Sequence, residues 1–254
     1  METNKIICGD CSDVMKDIPD NSVDLILTSP PYFNAKDYSK YKSIDEYLEI
    51  MKRCFIEGEM VLKPSRMCIV NISPILVARR KRSEQSYRIP IPFYFVPMME
   101  KIGFEFLEDI IWKKPDGSAK NRNGGFYQHR KPVAYKPNIV TEYILVFKKK
   151  ASFLIDKILK NNSFVNGEYE RTNVWEFNPE TTANHPAPFP LELPMKCIQY
   201  YSYENEIVLD PFTGSGTTGV ACKKLNRNFI GIEISPEYCQ IAMERLNKIG
   251  EPLF

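Results

Sequence analysis

The segment LTSPPYF, at residues 27–33, brings together residue types that could hold a flat, polar ligand. Pro30 and Pro31 fix the backbone φ angle and carry no N–H, so the stretch after Ser29 is stiff and its carbonyl groups stay unpaired. The Ser29 hydroxyl precedes this stiff stretch, and the aromatic rings of Tyr32 and Phe33 follow it. A flat, polar ligand could use the whole arrangement.

A second stretch, residues 206–235, has the pattern of a nucleoside-binding βαβ unit. An apolar strand ends at Asp210, GSGTTG at 214–219 matches G-x-G-x-x-G at the start of a helix, and the next strand ends at Glu233. Glycines let the backbone approach a ligand closely, and a carboxylate at a strand end can accept hydrogen bonds from both ribose hydroxyls. The unit predicts an adenosine-containing cofactor.

Positive charge is concentrated in the middle of the chain. Residues 79–150 contain 16 Lys and Arg against 7 Asp and Glu, although the net charge of the whole chain is only +2. The densest parts are RRKR at 79–82, the Gly- and Asn-rich stretch at 113–131 and KKK at 148–150. Such loops suit a polyanion, because Lys and Arg bind phosphates; a solvated face is the alternative interpretation.

These candidate sites require a sheet whose strands end at a common edge. Apolar runs predict seven strands, at 5–9, 23–28, 67–72, 104–112, 141–147, 206–210 and 228–233. Helical periodicity predicts helices at 43–62, 90–101, 190–202, 217–226 and 236–248. The strands at 104–112 and 141–147 have no helix between them, so we expect an antiparallel hairpin at one edge. The expected fold is α/β: a doubly wound, mostly parallel seven-stranded sheet in a single domain, 1–254.

The order of the elements is circularly permuted. The cofactor unit lies near the carboxyl end, so the remaining strands must come from the amino-terminal part of the chain. Read circularly, the strand ending at Glu233 and its helix are followed by KIICGDCSDV, a strand ending in Asp10, and then by VDLILTSPPY. Asp10 can accept a hydrogen bond from an adenine amino group, and all these polar residues are expected at one edge.

Composition narrows the class of protein further. No apolar run approaches the roughly 18 residues of a membrane span and no signal peptide is evident, so we expect a cytoplasmic protein. The seven cysteines, an odd number at irregular spacing, favour reduced thiols. Cys8 and Cys11 form a C-x-x-C, but there is no second pair, and His129 and His185 are far away in sequence, so no metal site is predicted.

Taken together, these motifs closely resemble the β class of amino-group DNA methyltransferases, which use S-adenosylmethionine. TSPPY at 28–32 is similar to the catalytic [DNS]-P-P-[YFW] motif of that family, and DPFTGSGTTG at 210–219 to its cofactor loop. HPAPFP at 185–190 resembles the segment that closes over the methionine part of the cofactor, GIEIS at 231–235 the ribose-binding strand end, and TEYILVF at 141–147 an edge strand. The likeness covers nearly the whole chain except for about 73–100, 114–138 and 151–172, where inserted basic loops are expected to recognise DNA.

The resemblance implies three sets of site residues. The catalytic set is Ser29, Pro30, Pro31 and Tyr32. The cofactor-binding set is Asp10, Cys11, Thr28, His185, Pro186, Ala187, Phe189, Asp210, Pro211, Phe212, Gly214, Ser215, Gly216, Thr217, Thr218, Glu233 and Ile234. The candidates for DNA contact are Arg79, Arg80, Lys81, Arg82, Lys113, Lys114, Lys120, Arg122, His129, Arg130 and Lys131. The implied partner is double-stranded DNA, with a cognate restriction endonuclease possible, and the protein would be a monomer or a homodimer.

The chemistry of amino methylation agrees with the catalytic set. An exocyclic amino nitrogen is a poor nucleophile because its lone pair is delocalised into the ring. Acceptors at Ser29 and Pro30 would draw the nitrogen toward tetrahedral geometry while Tyr32 stacks on a base flipped out of the duplex. Methyl transfer is a direct displacement, so positioning should supply most of the acceleration. The chain has no Pro-Cys dipeptide, the nucleophile motif of cytosine carbon-5 enzymes.

Several alternatives remain open at this stage. In the resembling family S-P-P-Y accompanies cytosine N4 more often than adenine N6, so we expect N4-methylcytosine, with N6-methyladenine as the alternative. A methyltransferase for RNA or a small molecule is more distant, and a dinucleotide-dependent oxidoreductase would leave TSPPY without a role. Taken singly, Tyr32 and Phe33 could be core aromatics, Ser29 a helix cap and His185 a loop residue, with Asp10 and Glu233 plain exposed carboxylates.

Overall fold

The structure is a computed structural model that describes residues 1–33, 41–81, 83–116, 131–133, 135, 137, 139–155, 165, 169–179 and 190–249. The strands run over Lys5–Cys8 (β1), Val23–Thr28 (β2), Leu62–Ile72 (β3), Ile75–Val77 (β4), Tyr87–Ile89 (β5), Phe104–Lys113 (β6), Thr141–Lys149 (β7), Val174–Glu176 (β8), Ile207–Asp210 (β9) and Asn228–Glu233 (β10). The helices are Cys11–Val14 (α1), Ile44–Val61 (α2), Ile91–Ile102 (α3), Glu192–Tyr201 (α4), Thr217–Lys224 (α5) and Pro236–Asn247 (α6), and a 3-10 turn covers Met15–Asp17.

Eight strands form one mixed sheet in the order β1-β10-β9-β2-β3-β7-β6-β8. The first five are parallel, β7 is antiparallel to both of its neighbours, and β8 pairs parallel with β6. The central position of β2 explains its composition: all six residues of VDLILT are buried, as expected for a strand covered on both faces. The permuted order places the carboxyl ends of β1, β10, β9 and β2 side by side.

Helices cover both faces of the sheet, which makes it doubly wound. On one face α2 and α3 contribute the fully buried Tyr47, Phe55 and Phe95 to the first of two apolar clusters. On the other face the second cluster includes Leu193 of α4 and Val220 of α5. Fold class and permutation are as the sequence predicts.

An eighth strand and an earlier start of β3 were not predicted. β8 has only three residues, too few to show a period, and it gains its place by pairing with β6 through Trp112 and Trp175. β3 begins at Leu62, directly after α2, but its first part contains Pro64 and has Ser65 at a positive φ of 65°. These two residues break the apolar alternation on which the prediction depended. In the sheet, β8 lies outside the hairpin of β6 and β7 and forms the edge strand.

A two-stranded antiparallel ribbon, β4 and β5, stands apart from the main sheet between β3 and α3. At its root Ile75 pairs with Ile89, and both pack against the first apolar cluster. At its tip the Glu84 side chain accepts hydrogen bonds from the backbone N–H groups of Arg80 and Lys81, at 2.9 and 3.3 Å. The exposed part of the insertion expected at 73–100 thus contains the ribbon, whereas α3 belongs to the core.

The expectation of reduced thiols is wrong for one pair of cysteines. Cys8 at the end of β1 and Cys239 in α6 form a disulfide with their Cα atoms 6.0 Å apart. The two residues are 231 positions apart and meet only because β1 pairs with β10. The other five cysteines are free, so Cys8 does not pair with Cys11.

The described residues contain no group of three or more His, Cys, Asp or Glu side chains placed to hold a metal ion. Within the same part of the chain, no helix has both the length and the apolar character needed to cross a membrane.

Candidate cofactor and catalytic site

Four polar residues meet where four parallel strands end. Thr28 ends β2, Asp210 ends β9 and Glu233 ends β10, while Asp10 follows β1 by two residues. The strands are consecutive neighbours in the sheet, so the four side chains share one edge, as the circular reading of the sequence predicts. Thr28 and Asp210 are in direct contact, because the Thr28 hydroxyl donates to Asp210 Oδ1 at 2.7 Å.

Asp210 accepts hydrogen bonds that fix the loop between β9 and α5, called here the glycine loop. Its Oδ2 accepts from the Thr218 hydroxyl at 2.6 Å, and its Oδ1 accepts from Thr28 and from the backbone N–H of Phe212 at 3.1 Å. Burial disfavours the charged form and raises the pKa of Asp210 to about 6, although these hydrogen bonds act in the opposite direction. Asp210 therefore ties β2, β9 and α5 together and has little of its surface left for a ligand.

Glu233 holds the loop from the other side and keeps capacity for a ligand. Its Oε2 accepts from the backbone N–H of Gly214 and its Oε1 from that of Ser235, both at 2.9 Å. Two hydrogen bonds fill about half of the lone-pair positions of a carboxylate, so Glu233 can accept two more from ribose hydroxyls. Asp10 is similarly placed: Oδ1 caps α1 through Ser12, and Oδ2 has no partner among the described residues.

Two glycines of the loop are required by packing within the protein. Gly216 has a φ of 80°, and a Cβ at this position would lie 3.1 Å from the Cβ of Ala242 in α6. A Cβ at Gly219 would lie 3.1 Å from ring atoms of Phe229 in β10. These two glycines allow helix and strand packing, and Gly214, at a φ of 51°, forms the turn that contacts Glu233.

The candidate catalytic segment, residues 29–32, lies at the same edge, next to β3. Ser29 directly follows Thr28, and its hydroxyl donates to the backbone carbonyl of Asn71 at 3.3 Å. The Asn71 side chain Nδ2 donates in turn to Ser29 Oγ at 3.4 Å, and its Oδ1 is buried without a partner among the described residues. Both contacts are long for hydrogen bonds.

Tyr32 is anchored by a buried carboxylate. Its hydroxyl donates to Glu142 Oε2 at 2.9 Å, and the same oxygen accepts from Asn71 Nδ2 at 2.9 Å. Lys114 Nζ forms an ion pair with Glu142 Oε1. Burial and the neighbouring Glu142 raise the pKa of Tyr32 well above its usual value, so Tyr32 remains a neutral hydrogen-bond donor. Phe33, by contrast, packs against Tyr47 as a core aromatic.

Asn71 and Glu142 were not among the residues singled out from the sequence. Asn71 lies near the carboxyl end of a parallel strand, β3. Glu142 lies near the start of the antiparallel strand β7, which brings it to the same edge of the sheet. The sequence signal for Glu142 was a polar residue near the start of a strand. It points to this edge of the sheet only once β7 is known to be antiparallel to β3.

The other predicted cofactor residues have varied surroundings. Ser215 and Thr217 face Arg245 of α6, whose guanidinium reaches their hydroxyls at 3.3 and 2.9 Å. Ile234 is largely exposed and Cys11 is half-buried. Pro211 and Phe212 lie in the loop after β9. Four predicted residues lie outside the described residues: His185, Pro186, Ala187 and Phe189.

The basic residues fall into two groups. Arg79, Arg80, Lys81 and Lys131 are exposed. Lys113 and Lys114 are instead engaged by carboxylates, the first by Glu176 at 2.8 Å and the second by Glu142. The remaining candidates lie outside the described residues: Arg82, Lys120, Arg122, His129 and Arg130.

The hydrogen-bond acceptors at the strand ends suit S-adenosylmethionine. The cofactor carries a ribose with two hydroxyls, an adenine amino group and a positive sulfonium, and the edge offers two carboxylates with free acceptor positions, at Glu233 and Asp10. Gly214 adds close backbone at the turn between them. The hydrogen bonds of Asp210 are made within the protein and hold the loop.

Comparison with known proteins gives a consistent result. A family model for N6 and N4 methyltransferases, described as DNA methylase, matches residues 23–244. The type II beta methyltransferase M.BslI of Bacillus sp. (strain NEB-606) is 34% identical over 252 residues, which cover 95% of this chain and 27% of that protein. The type II methyltransferase M.BglII of Bacillus subtilis is 31% identical over 272 residues, covering 98% of this chain and 70% of that protein.

A solved structure agrees with these relatives. A candidate DNA modification methylase of Thermus thermophilus, crystallised with S-adenosyl-L-methionine, superposes with a TM-score of 0.76 at 26% sequence identity. The match covers 98% of this chain and 95% of that one. The chain spans about a quarter of the length of M.BslI and most of the length of the Thermus protein.

Proposed function

Because this chain belongs to the DNA methylase family of N6 and N4 methyltransferases, we propose that it transfers a methyl group to the N4 amino group of cytosine at a specific sequence of duplex DNA. The family uses S-adenosylmethionine, which is the cofactor of this enzyme. The whole chain takes part in the proposed activity as a single methyltransferase domain. The parts of the proposal that go beyond family membership are the base, the site specificity and the roles of individual residues.

The contact between Thr28 and Asp210 is the observation that carries the proposal. Asp210 shapes the loop proposed to hold the cofactor, and Thr28 immediately precedes Ser29, which is proposed to bind the amino group. The 2.7 Å hydrogen bond therefore joins the proposed cofactor loop to the proposed base-binding segment, with Thr28 as the one residue between Asp210 and Ser29. Fixed juxtaposition of two reactants is what a direct displacement requires.

The chain's own residues bind the base and prepare its amino group. When bound, S-adenosylmethionine would supply an electrophilic methyl group. The amino nitrogen would take that methyl as the carbon–sulfur bond breaks and the neutral thioether leaves, and the nitrogen would then release one proton to solvent. Ser29 Oγ and the Pro30 carbonyl accept the two amino hydrogens, which localises the nitrogen lone pair toward the methyl group. Tyr32 provides the ring on which the flipped base stacks, with its hydroxyl held by Glu142. Pro31 restrains the backbone after Pro30, so the direction of the Pro30 carbonyl is fixed.

DNA binding is assigned first to the tip of the ribbon formed by β4 and β5. Arg79, Arg80 and Lys81 are exposed there and form no ion pair with any described residue. The ribbon also leaves the core close to the catalytic segment, because β4 begins four residues after Asn71. Ser29, Pro30 and Tyr32 form the proposed base-holding site. Exposed cations beside it are suited to the DNA phosphates that flank the target base. Lys113 and Lys114 are weaker candidates, because carboxylates already engage them.

The choice of cytosine N4 depends on Ser29. A serine offers a neutral hydroxyl acceptor at the first motif position, where aspartate would offer a charged one, and S-P-P-Y accompanies cytosine N4 more often than adenine N6 in this family. Adenine N6 is the alternative within the same chemistry, because a hydroxyl and a carbonyl can grip either amino group. RNA or a small molecule is the more distant alternative, and the exposed cations of the ribbon favour a nucleic-acid duplex over a small molecule.

One experiment tests both the activity and the base. The protein is incubated with labelled S-adenosylmethionine and, in separate samples, plasmid DNA or RNA, and the digested products are examined by mass spectrometry of nucleosides. N4-methylcytosine as the modified nucleoside is the expected result. N6-methyladenine alone would overturn the base assignment, and label transferred to RNA but not to plasmid would overturn the choice of DNA.

The context of the activity is also part of the proposal. The relatives are named as type II methyltransferases, so a cognate restriction endonuclease would be a functional partner that cleaves the same sequence when it is unmethylated. The enzyme would then act in the cytoplasm, where the DNA lies, as a monomer or a homodimer.

A further inference from the structure

Glu142 is a buried carboxylate in direct contact with the catalytic segment. It is 8% exposed, and it accepts from the Tyr32 hydroxyl, from Asn71 Nδ2 and from Lys114 Nζ. We propose that Glu142 is the positioning residue of the base-holding site, which fixes Tyr32 directly and Ser29 through Asn71. The inference rests on the proposed function, because it assigns a role within that site.

The first arm of the arrangement is the bond to Tyr32. A tyrosine ring that must stack on a flipped base needs a fixed plane, and the hydroxyl at its far end is the only polar atom by which it can be held. The 2.9 Å bond to Glu142 joins that atom to β7, a strand of the central sheet. The charged acceptor makes this bond stronger than one between neutral groups.

The second arm runs through Asn71 to Ser29. A carboxylate oxygen only accepts hydrogen bonds, so the 2.9 Å contact with Glu142 Oε2 requires the Asn71 side chain to present its Nδ2 there. That orientation also directs Nδ2 at Ser29 Oγ, at 3.4 Å. A single carboxylate oxygen therefore sets the direction of both the stacking ring and the amide that touches the acceptor hydroxyl.

Lys114 offsets the cost of burying the charge. An unpaired carboxylate at this depth would be strongly unfavourable, and the ammonium group of Lys114 lies against Glu142 Oε1. Lys114 is itself held over the ring of Trp112, 4.6 Å from its centroid. Trp112 and Glu142 belong to the hairpin of β6 and β7, and Lys114 directly follows β6, so the anchor of Tyr32 is part of the rigid sheet.

A purely structural role for Glu142 makes a different prediction from a positioning role. If Glu142 only joins strands, its loss lowers stability, and its effect on rate is independent of the Tyr32 hydroxyl. If it acts through Tyr32, removal of either partner deletes the same interaction, and removal of both costs little more than one.

The test is a double-mutant cycle with Tyr32→Phe and Glu142→Gln, in which kcat, the KM for plasmid DNA and the affinity for S-adenosylmethionine are measured. We expect kcat to fall about tenfold in Tyr32→Phe and about 10- to 100-fold in Glu142→Gln, as for loss of a charged hydrogen bond. The double variant should be within about twofold of Glu142→Gln. Cofactor affinity should not change, since the described contacts of Glu142 are with the base-holding site and not with the carboxylates at the cofactor edge.

The control is Glu105→Gln in the same hairpin. Glu105 pairs with Lys148 at 2.8 Å at the opposite end, so this variant removes a carboxylate and an ion pair without touching the site, and its kcat should equal that of the wild type.

Rate losses that multiply in the double variant would overturn the inference. So would an unchanged kcat in Tyr32→Phe, a result that remains decisive if Glu142→Gln fails to fold. Absence of methyl transfer by the wild-type protein would instead overturn the proposed function, so the two failures are distinguishable.

Discussion

Two regions differ in how their polar groups are held: the cofactor edge, which is the sheet edge with Asp10, Asp210 and Glu233, and the ribbon of β4 and β5. At the cofactor edge Asp210 and Glu233 are bound by hydrogen bonds from neighbouring strands and loops before any ligand arrives. At the tip of the ribbon Arg79, Arg80 and Lys81 are exposed and form no ion pair with described residues. The first region is therefore preorganised, whereas the second offers charge whose geometry its partner can still adjust.

The contrast fits what each region is proposed to recognise. A small cofactor must be placed within a fraction of an ångström of the reacting atom, so its contacts gain from rigid strand ends. A duplex presents many equivalent phosphates, and long flexible cations can follow them at little cost. Catalysis should thus depend on single atoms at the sheet edge, and DNA affinity on the sum of several charges.

The buried carboxylate of Asp210 gives the largest expected effect. With a pKa raised to about 6 in the folded state and about 3.8 as reference, it binds a proton more readily when folded. Its contribution to stability is therefore lost as pH rises from about 4 through 6, by about 3 kcal/mol, and is constant above. Asp210→Asn should lack this fall. Denaturant unfolding at several pH values measures it, and parallel curves for the two proteins would contradict it.

Ser29→Ala tests dependence on a single atom. Removal of one preorganised acceptor should lower kcat roughly 100-fold or more. Affinities for cofactor and DNA should change little, because the hydroxyl is needed most as the amino nitrogen becomes tetrahedral. Single-turnover kinetics with plasmid DNA measure the step, and Ser73→Ala, just beyond β3, is the matched control. A normal rate in Ser29→Ala would remove Ser29 from the mechanism.

Glu233→Ala should weaken binding of S-adenosylmethionine about 10- to 100-fold, since it removes a charged acceptor for the ribose hydroxyls and frees the loop at Gly214. Calorimetric titration measures the affinity. Glu237→Ala, an exposed carboxylate in the first turn of α6, has the same charge change and should bind normally. Equal affinities in the two variants would mean that the ribose lies elsewhere.

The ribbon should show the smallest effect per residue. Changing Arg79, Arg80 and Lys81 together to Ala should lower affinity for duplex DNA about tenfold and reduce the slope of log K against log salt by up to about 3. The rate at saturating DNA should be unaffected. Titration at several salt concentrations measures the slope.

A matched triple change of Lys5, Lys16 and Lys52 to Ala removes the same charge elsewhere on the surface. An unchanged slope in the ribbon variant, or an equal drop in this control, would show that net charge and not the ribbon determines binding.

Gly216 has a packing role in addition to the close ligand approach that the motif predicts. A side chain there would press on Ala242 and would have to adopt a positive φ. A Val at this position is therefore expected to lower stability as well as binding. The motif G-x-G-x-x-G is informative about the turn, yet it does not tell which neighbour each glycine makes room for.

The sequence by itself determined the features that depend on local order. Alternation and apolar runs predicted the seven strands, and the residues that end them gave Thr28, Asp210 and Glu233. The circular order of these segments predicted the permuted sheet, because neighbouring parallel strands must end at the same edge. Stiffness at Pro30 and Pro31 follows from the ring chemistry of proline and needs no tertiary structure.

Only the tertiary structure decided the contacts between residues far apart in the chain. The disulfide of Cys8 with Cys239 and the bond of Tyr32 to Glu142 join residues 231 and 110 positions apart. Lys114 looks like a DNA contact in the sequence and becomes the counter-ion of Glu142 only once β6 and β7 are paired. The physical reason is that charge and polarity are properties of single residues, whereas burial and partners are set by the register and direction of strands.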